Sequence, residues 1–328
     1  MPSQWVADGL AGLAGAQVEV VALGRDMGES GDPGPAAVPA SVADVEFYVP
    51  SFFPSPAGSA VLGQMRALRV VQALTAGVDW LRPHLPPSVA LCNARGAHDA
   101  STAEWVVAAM LAALRDFPRF TAQQAAGQWA YQGTDQLATK NVLIVGYGSI
   151  GVAVEKRLAG FEVSVQRVAR SPRPGVAGLG ELPSLLPAAD VVVLLVPYTP
   201  ESQGLAGSEF LARMKDGALL VNAARGPVVD TPALVAEVAS GRLPRRSPRL
   251  LYVPEITLRL RMGGGCLPGL SPVPAMSGLC VAPRHLRGLA ALLSGRIPRW
   301  HLRLPPGCCC VLRAPAALLY PVSASTRR

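Results

Sequence analysis

Short runs of apolar residues, separated by polar or glycine-rich turns, recur along the first 242 residues of the chain. Most of these runs are followed by a stretch with helical spacing, so the pattern predicts parallel strands that alternate with helices. The unbroken apolar run at 191–196 is typical of a strand covered on both faces. The predicted strands span residues 17–23, 45–49, 69–74, 89–92, 142–145, 162–168, 191–196 and 219–222.

The longest predicted helix lies between these strands. It begins near Ser101 or Thr102, either of which can cap it, and runs to about Phe117, with Glu104 placed favourably in its first turn. Its alanine-rich apolar faces predict a helix buried between two domains. Further helices are predicted at 152–158, 182–186, 208–214 and 230–240, the last ending before Gly241. This alternation predicts an α/β protein with two Rossmann-like domains and parallel sheets.

The most informative segment begins at Asn141. An apolar strand runs directly into Gly146-x-Gly148-x-x-Gly151, and a helix follows. The first glycine allows a tight turn, the second lets the backbone approach a pyrophosphate, and the third lets the helix pack against its strand. Glycine-rich turns also have purely structural causes, but strand before and helix after favour a dinucleotide site at the helix N-terminus. The predicted cofactor-binding residues here are Gly146, Tyr147, Gly148, Ser149, Ile150 and Gly151.

The choice of cofactor is predicted from the end of the following strand. Sites for NAD usually place an acidic residue there to bind the ribose 2′-hydroxyl. This chain has Arg167, Arg170 and Ser171 instead, and arginines attract a 2′-phosphate. We therefore predict a preference for NADP over NAD. The alternative is that Arg170 is only a solvated loop charge.

The formal net charge of +8 is an average over two unlike pieces. Residues 1–242 have a net charge of −4, whereas residues 243–328 hold 13 Arg, no Lys and a single acidic residue, Glu255. The same 86 residues contain 12 prolines and five of the six cysteines, and they lack Asp, Asn, Gln and Phe. Globular segments rarely have such a composition.

Several interpretations of this tail compete. A basic stretch can bind nucleic acid or a membrane, but such stretches usually use Lys and few bulky apolar residues. Cys266, Cys280 and the triplet 308–310 lack the spacing of a zinc site, so no metal site is predicted. Disulfides are not expected because no export signal is predicted and the default location is cytoplasmic. We hypothesise that a frameshift shortly after Arg242 produced the tail, or that the tail is disordered.

Several motifs along residues 17–242 resemble the D-isomer-specific 2-hydroxyacid dehydrogenases. The resemblance depends on the glycine turn at 146–151 and on five further segments: 72–79 (QALTAGVD), 93–96 (NARG), 101–104 (STAE), 196–201 (VPYTPE) and 222–230 (NAARGPVVD). It implies a substrate-binding domain at 1–100, an inter-domain helix at 101–120 and a dinucleotide-binding domain at 121–242. The tail, 243–328, does not match.

The resemblance also implies site residues and an activity. The family moves a hydride between nicotinamide and the C2 carbon of a 2-oxo or 2-hydroxy acid, and small acids such as glyoxylate or hydroxypyruvate are its commonest substrates. Backbone N–H groups at Ala76, Gly77 and Val78 would hold the substrate carboxylate. Arg225 would bind that carboxylate and polarise the carbonyl, unless it forms only a surface ion pair. The further cofactor-binding residues implied are Thr102, Val196, Pro197, Ala223 and Ala224, although helix capping and strand-end packing explain some of them equally well.

The same resemblance shows what this sequence lacks. The family needs a histidine as proton donor and a carboxylate that orients it, and both should follow residue 242, where neither segment is recognisable. We therefore predict little or no turnover, a second sheet that is incomplete at its C-terminal end, and an unpaired strand edge after 219–222. The family implies a homodimer. The competing hypothesis is a non-catalytic dinucleotide-binding regulatory protein.

Overall fold

The protein is described by a computed structural model at residues 38–50, 56–240 and 250–252. The predicted strand at 17–23 and the rest of the tail lie outside these residues. The described chain divides between Ala97 and His98 into two compact units, and each has its own parallel sheet. The predicted α/β class with parallel sheets is therefore confirmed.

The first unit contains a three-stranded parallel sheet in the order β1-β2-β3. Its buried residues include Val71, Ala73 and Leu81, none of which is exposed to solvent. Short helical segments surround this core. The strands are β1 (Phe47–Tyr48), β2 (Val70–Gln72) and β3 (Ala90–Cys92), the helix is α1 (Pro56–Ala60), and 3₁₀ turns lie at Ala40–Asp44, Val61–Gln64 and Arg82–His84.

The second unit contains a six-stranded parallel sheet in the order β6-β5-β4-β7-β8-β9. This order places the first strand of the unit in the middle, with two strands wound to one side and three to the other, as in the dinucleotide-binding Rossmann fold. The strands are β4 (Asn141–Val145), β5 (Ser164–Ala169), β6 (Ala177–Gly178), β7 (Val191–Leu194), β8 (Leu219–Asn222) and β9 (Leu250–Tyr252).

Helices cover both faces of the second sheet. Val142, Ile144 and Val193 belong to one apolar cluster, and Leu143 and Leu194 to the other. Because both faces are buried, β4, β7 and β8 need apolar residues at nearly every position, which explains their unbroken hydrophobic runs. The helices are α2 (Asp99–Leu114), α3 (Phe117–Ala125), α4 (Ser149–Leu158), α5 (Leu182–Leu185), α6 (Ser208–Arg213) and α7 (Thr231–Ser240).

Two predicted helix starts are wrong. The long helix begins at Asp99 and ends at Leu114, so neither Ser101 nor Thr102 is its N-cap residue. Asp116 then adopts a left-handed conformation with φ 54° and separates this helix from α3. The helix after the glycine turn begins at Ser149, three residues before the predicted start, so its first turn lies inside the glycine motif.

The prediction of an unpaired edge after β8 is also wrong. Residues Leu250–Tyr252 form β9, which pairs in parallel with β8 through the register Leu220↔Leu250 to Asn222↔Tyr252. This strand was not predicted, because the composition of the surrounding tail is unlike that of a globular segment. In the part of the chain that the structure describes, no helix is long and apolar enough to span a bilayer.

Candidate functional site

The glycine turn lies between β4 and α4, at the carboxyl edge of the second sheet. The Gly146 N–H donates to the Val168 carbonyl at 2.9 Å, and Gly146 has a φ of 107°. A Cβ atom at this position would lie 2.5 Å from the Leu195 carbonyl carbon and from the Val196 nitrogen. Only glycine fits here, because both the conformation and the neighbouring backbone exclude a side chain.

Gly148 and Gly151 differ from Gly146 in their surroundings. A Cβ on Gly148 would meet nothing within 4 Å, whereas a Cβ on Gly151 would lie 3.2 Å from the Gly146 carbonyl oxygen and from the Tyr147 ring. The open space beside Gly148 therefore leaves the backbone accessible from outside. Because α4 begins at the next residue, Ser149, the unsatisfied N–H groups and positive dipole end of a three-turn helix are directed there. This arrangement fits a pyrophosphate.

The first turn of α2 reaches the same helix terminus. The Ser149 hydroxyl donates to Asp99 Oδ1 at 3.1 Å, and the Arg157 guanidinium donates to Glu104 at 3.0 Å. Thr102 is half-buried in the first turns of α2, with its N–H bonded to the His98 carbonyl at 3.0 Å. The two helices are therefore joined at both ends of α4.

The loops that follow β7 and β8 adjoin the glycine turn. The Leu195 N–H donates to Val145 at 2.7 Å, and the Ala223 N–H donates to Leu194 at 3.1 Å. These backbone bonds hold the strand ends in register. Val196 and Ala224 are buried and Ala223 is half-buried, whereas Pro197 is exposed. The structure thus brings Val196, Pro197, Ala223 and Ala224 to the same edge of the sheet as Gly146.

Arg225 is held by a buried asparagine that ends β8. Asn222 is completely buried; its side-chain amide donates to the Arg225 carbonyl at 2.9 Å, and its oxygen accepts from the Ala224 N–H at 3.0 Å. The Arg225 guanidinium is half-buried and donates to the Ala224 carbonyl at 3.1 Å. This bond holds the guanidinium against the loop that follows β8.

The predicted basic positions at the end of β5 have different environments. Arg170 and Ser171 directly follow the strand and are exposed. Arg167 lies within the strand and forms a bidentate salt bridge with Glu155 of α4, its Nε donating to Oε2 at 2.8 Å. A further exposed arginine, Arg173, donates to the Tyr147 carbonyl at 2.8 Å.

The first unit contains the remaining predicted site residues, Ala76, Gly77 and Val78, in the loop after β2. The Thr75 hydroxyl donates to the Gly77 carbonyl at 2.7 Å and the Asn93 amide donates to the Ala76 carbonyl at 3.0 Å. These bonds fix the loop through its carbonyl groups. Among the described residues, the backbone N–H groups of Ala76, Gly77 and Val78 donate no hydrogen bond, so they are available to an anion.

Three residues around these loops were not predicted as functional. Asn222 could have been found as the polar residue that ends an apolar strand, and Arg173 as a second arginine in the loop after β5. Glu155 gave no signal in the sequence, because an acidic residue on a helix is ordinarily a solvated surface charge. Only the fold places it against Arg167 and Tyr147.

Comparison with known proteins matches part of the chain. Residues 107–245 match the family description "D-isomer specific 2-hydroxyacid dehydrogenase, NAD binding domain". The chain is 32% identical over 194 residues to a D-3-phosphoglycerate dehydrogenase of Archaeoglobus fulgidus, covering 56% of this chain and 36% of that protein. It is 34% identical over 204 residues to glyoxylate/hydroxypyruvate reductase B of Citrobacter koseri, and the match covers 56% of this chain and 61% of that protein. The chain thus spans between about a third and three fifths of these relatives' length.

A solved structure is similar over more of the chain. The D-isomer specific 2-hydroxyacid dehydrogenase from Xanthobacter autotrophicus Py2, in complex with NADPH and MES, superposes with a TM-score of 0.65 and 25% sequence identity. The superposition covers 90% of this chain and 93% of that one.

Proposed function

We propose that the protein binds a nicotinamide dinucleotide and is a dehydrogenase or reductase of small 2-oxo and 2-hydroxy acids, because residues 107–245 match the NAD-binding domain of the D-isomer-specific 2-hydroxyacid dehydrogenases. The single observation that carries this proposal is the glycine turn at the N-terminus of α4, at the carboxyl edge of β4. β4 is the strand at which the winding of the sheet reverses, where α/β folds bind their ligands.

The residues of the turn fit the cofactor. Gly148 leaves an open approach for the pyrophosphate, and the first N–H groups of α4, from Ser149 and Ile150, would donate to it. Val196, Pro197, Ala223 and Ala224, at the ends of β7 and β8, would contact the nicotinamide half. When bound, the nicotinamide supplies or accepts a hydride.

The choice between NADP and NAD is proposed from the loop after β5. Residues 169–173 are Ala-Arg-Ser-Pro-Arg, without an acidic residue that would bind a ribose 2′-hydroxyl and repel a phosphate. Arg170 and Arg173 are exposed and would pair with a 2′-phosphate. NADP is therefore the preferred cofactor in this proposal, as NADPH is the nucleotide in the similar Xanthobacter structure.

The substrate class is proposed from carboxylate-binding groups. In the second unit, the half-buried Arg225 presents a planar, permanently charged fork suited to a carboxylate. In the first unit, the N–H groups of Ala76, Gly77 and Val78 are available to an anion. Glyoxylate and hydroxypyruvate are the proposed substrate type, in line with the name of the Citrobacter relative.

Turnover is expected to be impaired, since no histidine or glutamate in a recognisable family segment follows residue 242. Loss of a general acid typically lowers a rate by about 10²–10⁴-fold.

The test is fluorescence titration of the full chain with NADPH and NADH, followed by NADPH oxidation assays with glyoxylate and hydroxypyruvate. We expect tighter binding of NADPH than of NADH and little or no oxidation.

The outcomes separate the competing functions. Robust oxidation of NADPH would show that the chain is an active reductase with a proton donor elsewhere. Binding with no oxidation of any 2-oxo acid in a wider panel would favour the alternative, a non-catalytic regulatory protein that responds to the dinucleotide. Binding of neither nucleotide would overturn the proposal as a whole.

A homodimer is proposed as the assembly. Trp129 and Tyr131, in the segment after α3, are 93% and 86% exposed, and two neighbouring aromatic side chains in water favour burial against a partner. Sedimentation velocity of the chain is expected to give a dimer, and Trp129→Ser is expected to weaken it. A wild-type chain that sediments as a monomer at all concentrations tested would contradict this assembly.

A further inference from the structure

Four side chains form a compact polar cluster beside the glycine turn. The Tyr147 hydroxyl and the Arg167 guanidinium both donate to the Glu155 carboxylate. The guanidinium carbons of Arg167 and Arg173 lie 5.7 Å and 5.6 Å from the centroid of the Tyr147 ring. Tyr147 is the residue between the first two glycines of the motif, so the cluster is joined directly to the proposed phosphate-binding backbone.

The two arginines in this cluster differ in charge compensation. Both guanidinium bonds of Arg167 end on one carboxylate, that of Glu155, which forms a bidentate pair. The bond of Arg173 ends on a neutral carbonyl, that of Tyr147. Arg173 therefore keeps its full charge toward solvent, whereas the charge of Arg167 is balanced by its partner.

The Glu155 carboxylate is ionised at neutral pH. The hydrogen bond from Arg167 lowers the pKa of Glu155 below its usual value, against the effect of partial burial. Glu155 is thus ionised at neutral pH and can pair with Arg167 there.

A cavity of about 500 Å³ adjoins the cluster. Its lining includes Tyr147, Lys156, Arg167 and Arg173 together with Glu155. Three of these residues are cationic and one is anionic, so neutralising Glu155 would raise the positive charge around the cavity by half. Because Tyr147 of the glycine turn is part of the lining, this charge lies next to the proposed nucleotide site.

We propose that Glu155 is a specificity-determining positioning residue: by pairing with Arg167 it keeps that arginine from a nucleotide 2′-phosphate and so limits the preference for NADP over NAD. The inference rests on the proposed function, since it assumes a dinucleotide at the glycine turn. In the wild-type chain, Arg170 and Arg173 would bind the 2′-phosphate. Arg167 would also bind it only when Glu155 is replaced.

The test compares dissociation constants of NADPH and NADH for the full chain, measured by fluorescence titration at two salt concentrations. Glu155→Gln is expected to bind NADPH about fivefold more tightly while its affinity for NADH changes less than about twofold, because only NADPH has the extra phosphate. The gain is expected to shrink as salt rises. Glu209→Gln, which removes a carboxylate from the exposed pair with Arg213, is the matched control and is expected to alter neither value.

A double variant provides the second arm. Glu155→Gln/Arg167→Met replaces the whole ion pair by neutral side chains and is expected to bind NADPH within about twofold of wild type, since a balanced pair contributes little net charge. A double variant that binds NADPH about tenfold more weakly, or a single variant without a change in the NADPH-to-NADH ratio, would overturn the inference. If wild type binds neither nucleotide, the proposed function itself fails, which is a separate result.

Discussion

At the scale of single residues, the glycine turn and its surroundings show how far side-chain identity predicts a role. Gly146 was predicted from its motif, and the structure adds the reason, a neighbouring backbone that leaves no room for a Cβ. Arg167 was predicted from its charge and its place at the end of a strand, yet its guanidinium is paired with Glu155 from another element. A residue whose role depends on its own backbone can be found from the sequence, whereas a residue whose role depends on a distant partner cannot.

Gly146→Ala is expected to destabilise the second unit by roughly 3 kcal/mol, because the new methyl group would overlap the Leu195 and Val196 backbone. Urea denaturation monitored by circular dichroism measures the loss, and NADPH titration should show no binding. Gly160→Ala is the matched control, since a Cβ there meets nothing within 4 Å. Equal stability of the two variants would contradict this account of the turn.

At the scale of elements, hydrophobic patterning located the strands well and the helix ends poorly. β8 was predicted at its observed bounds, Leu219–Asn222, because burial on both faces leaves a clear apolar run. The start of α2 was misplaced because Ser101 and Thr102 resemble N-cap residues, whereas the helix begins at Asp99 without a side-chain cap. Capping propensity is a local preference, and tertiary contacts decide where a helix begins.

Asp190 joins three elements and supplies a pH prediction. Its carboxylate accepts the Asn141 N–H of β4 at 2.9 Å and pairs with Lys215, which precedes β8, at 2.7 Å. Partial burial alone would raise the pKa of Asp190, but the bonds from Lys215 and Asn141 outweigh it and the pKa is lowered. A lowered pKa stabilises the folded state above the unfolded value of 3.8, and this stabilisation is lost as the pH falls below it.

Asp190→Asn is therefore expected to lower the free energy of unfolding by about 1 kcal/mol near neutral pH. The loss is expected to become progressively smaller between about pH 4 and pH 2. Chemical denaturation of both proteins at several pH values gives the difference. Lys215→Met should show a loss of similar size at neutral pH, because it removes the same pair. A difference between Asp190→Asn and wild type that stays constant down to pH 2 would contradict the role of the carboxylate charge.

At the scale of the whole molecule, the order of the strands along the chain differs from their order in the sheet. The sheet of the second unit begins at its middle strand and extends in both directions, so residues far apart in sequence meet at one carboxyl edge. β9 comes from a segment whose composition indicated an unrelated tail, yet its backbone pairs with β8. Backbone hydrogen bonding depends little on side-chain identity, which explains why composition misled the prediction at this position.

A truncation series tests the contribution of β9. A chain ending at Tyr252 is expected to keep the nucleotide-dependent stabilisation, about 2.7 kcal/mol at an NADPH concentration of 100 times the dissociation constant. A chain ending at Ser240 lacks β9 and exposes the edge of β8, so it is expected to aggregate. Thermal unfolding with and without NADPH measures the stabilisation, and light scattering measures the aggregation. Equal behaviour of the two truncated chains would show that β9 contributes nothing.

The sequence by itself determined the α/β class, most of the strands between residues 45 and 222, the glycine turn and a family resemblance, drawn over residues 17–242 and matched by the family description at residues 107–245. These features follow from local patterns of burial and backbone freedom, which the chain encodes within a few residues. Only the tertiary structure decided that Glu155 pairs with Arg167, that Asp190 links Asn141 to Lys215 and that β9 pairs with β8. Each of these contacts joins separate elements, so it exists only once the sheet has brought those elements together.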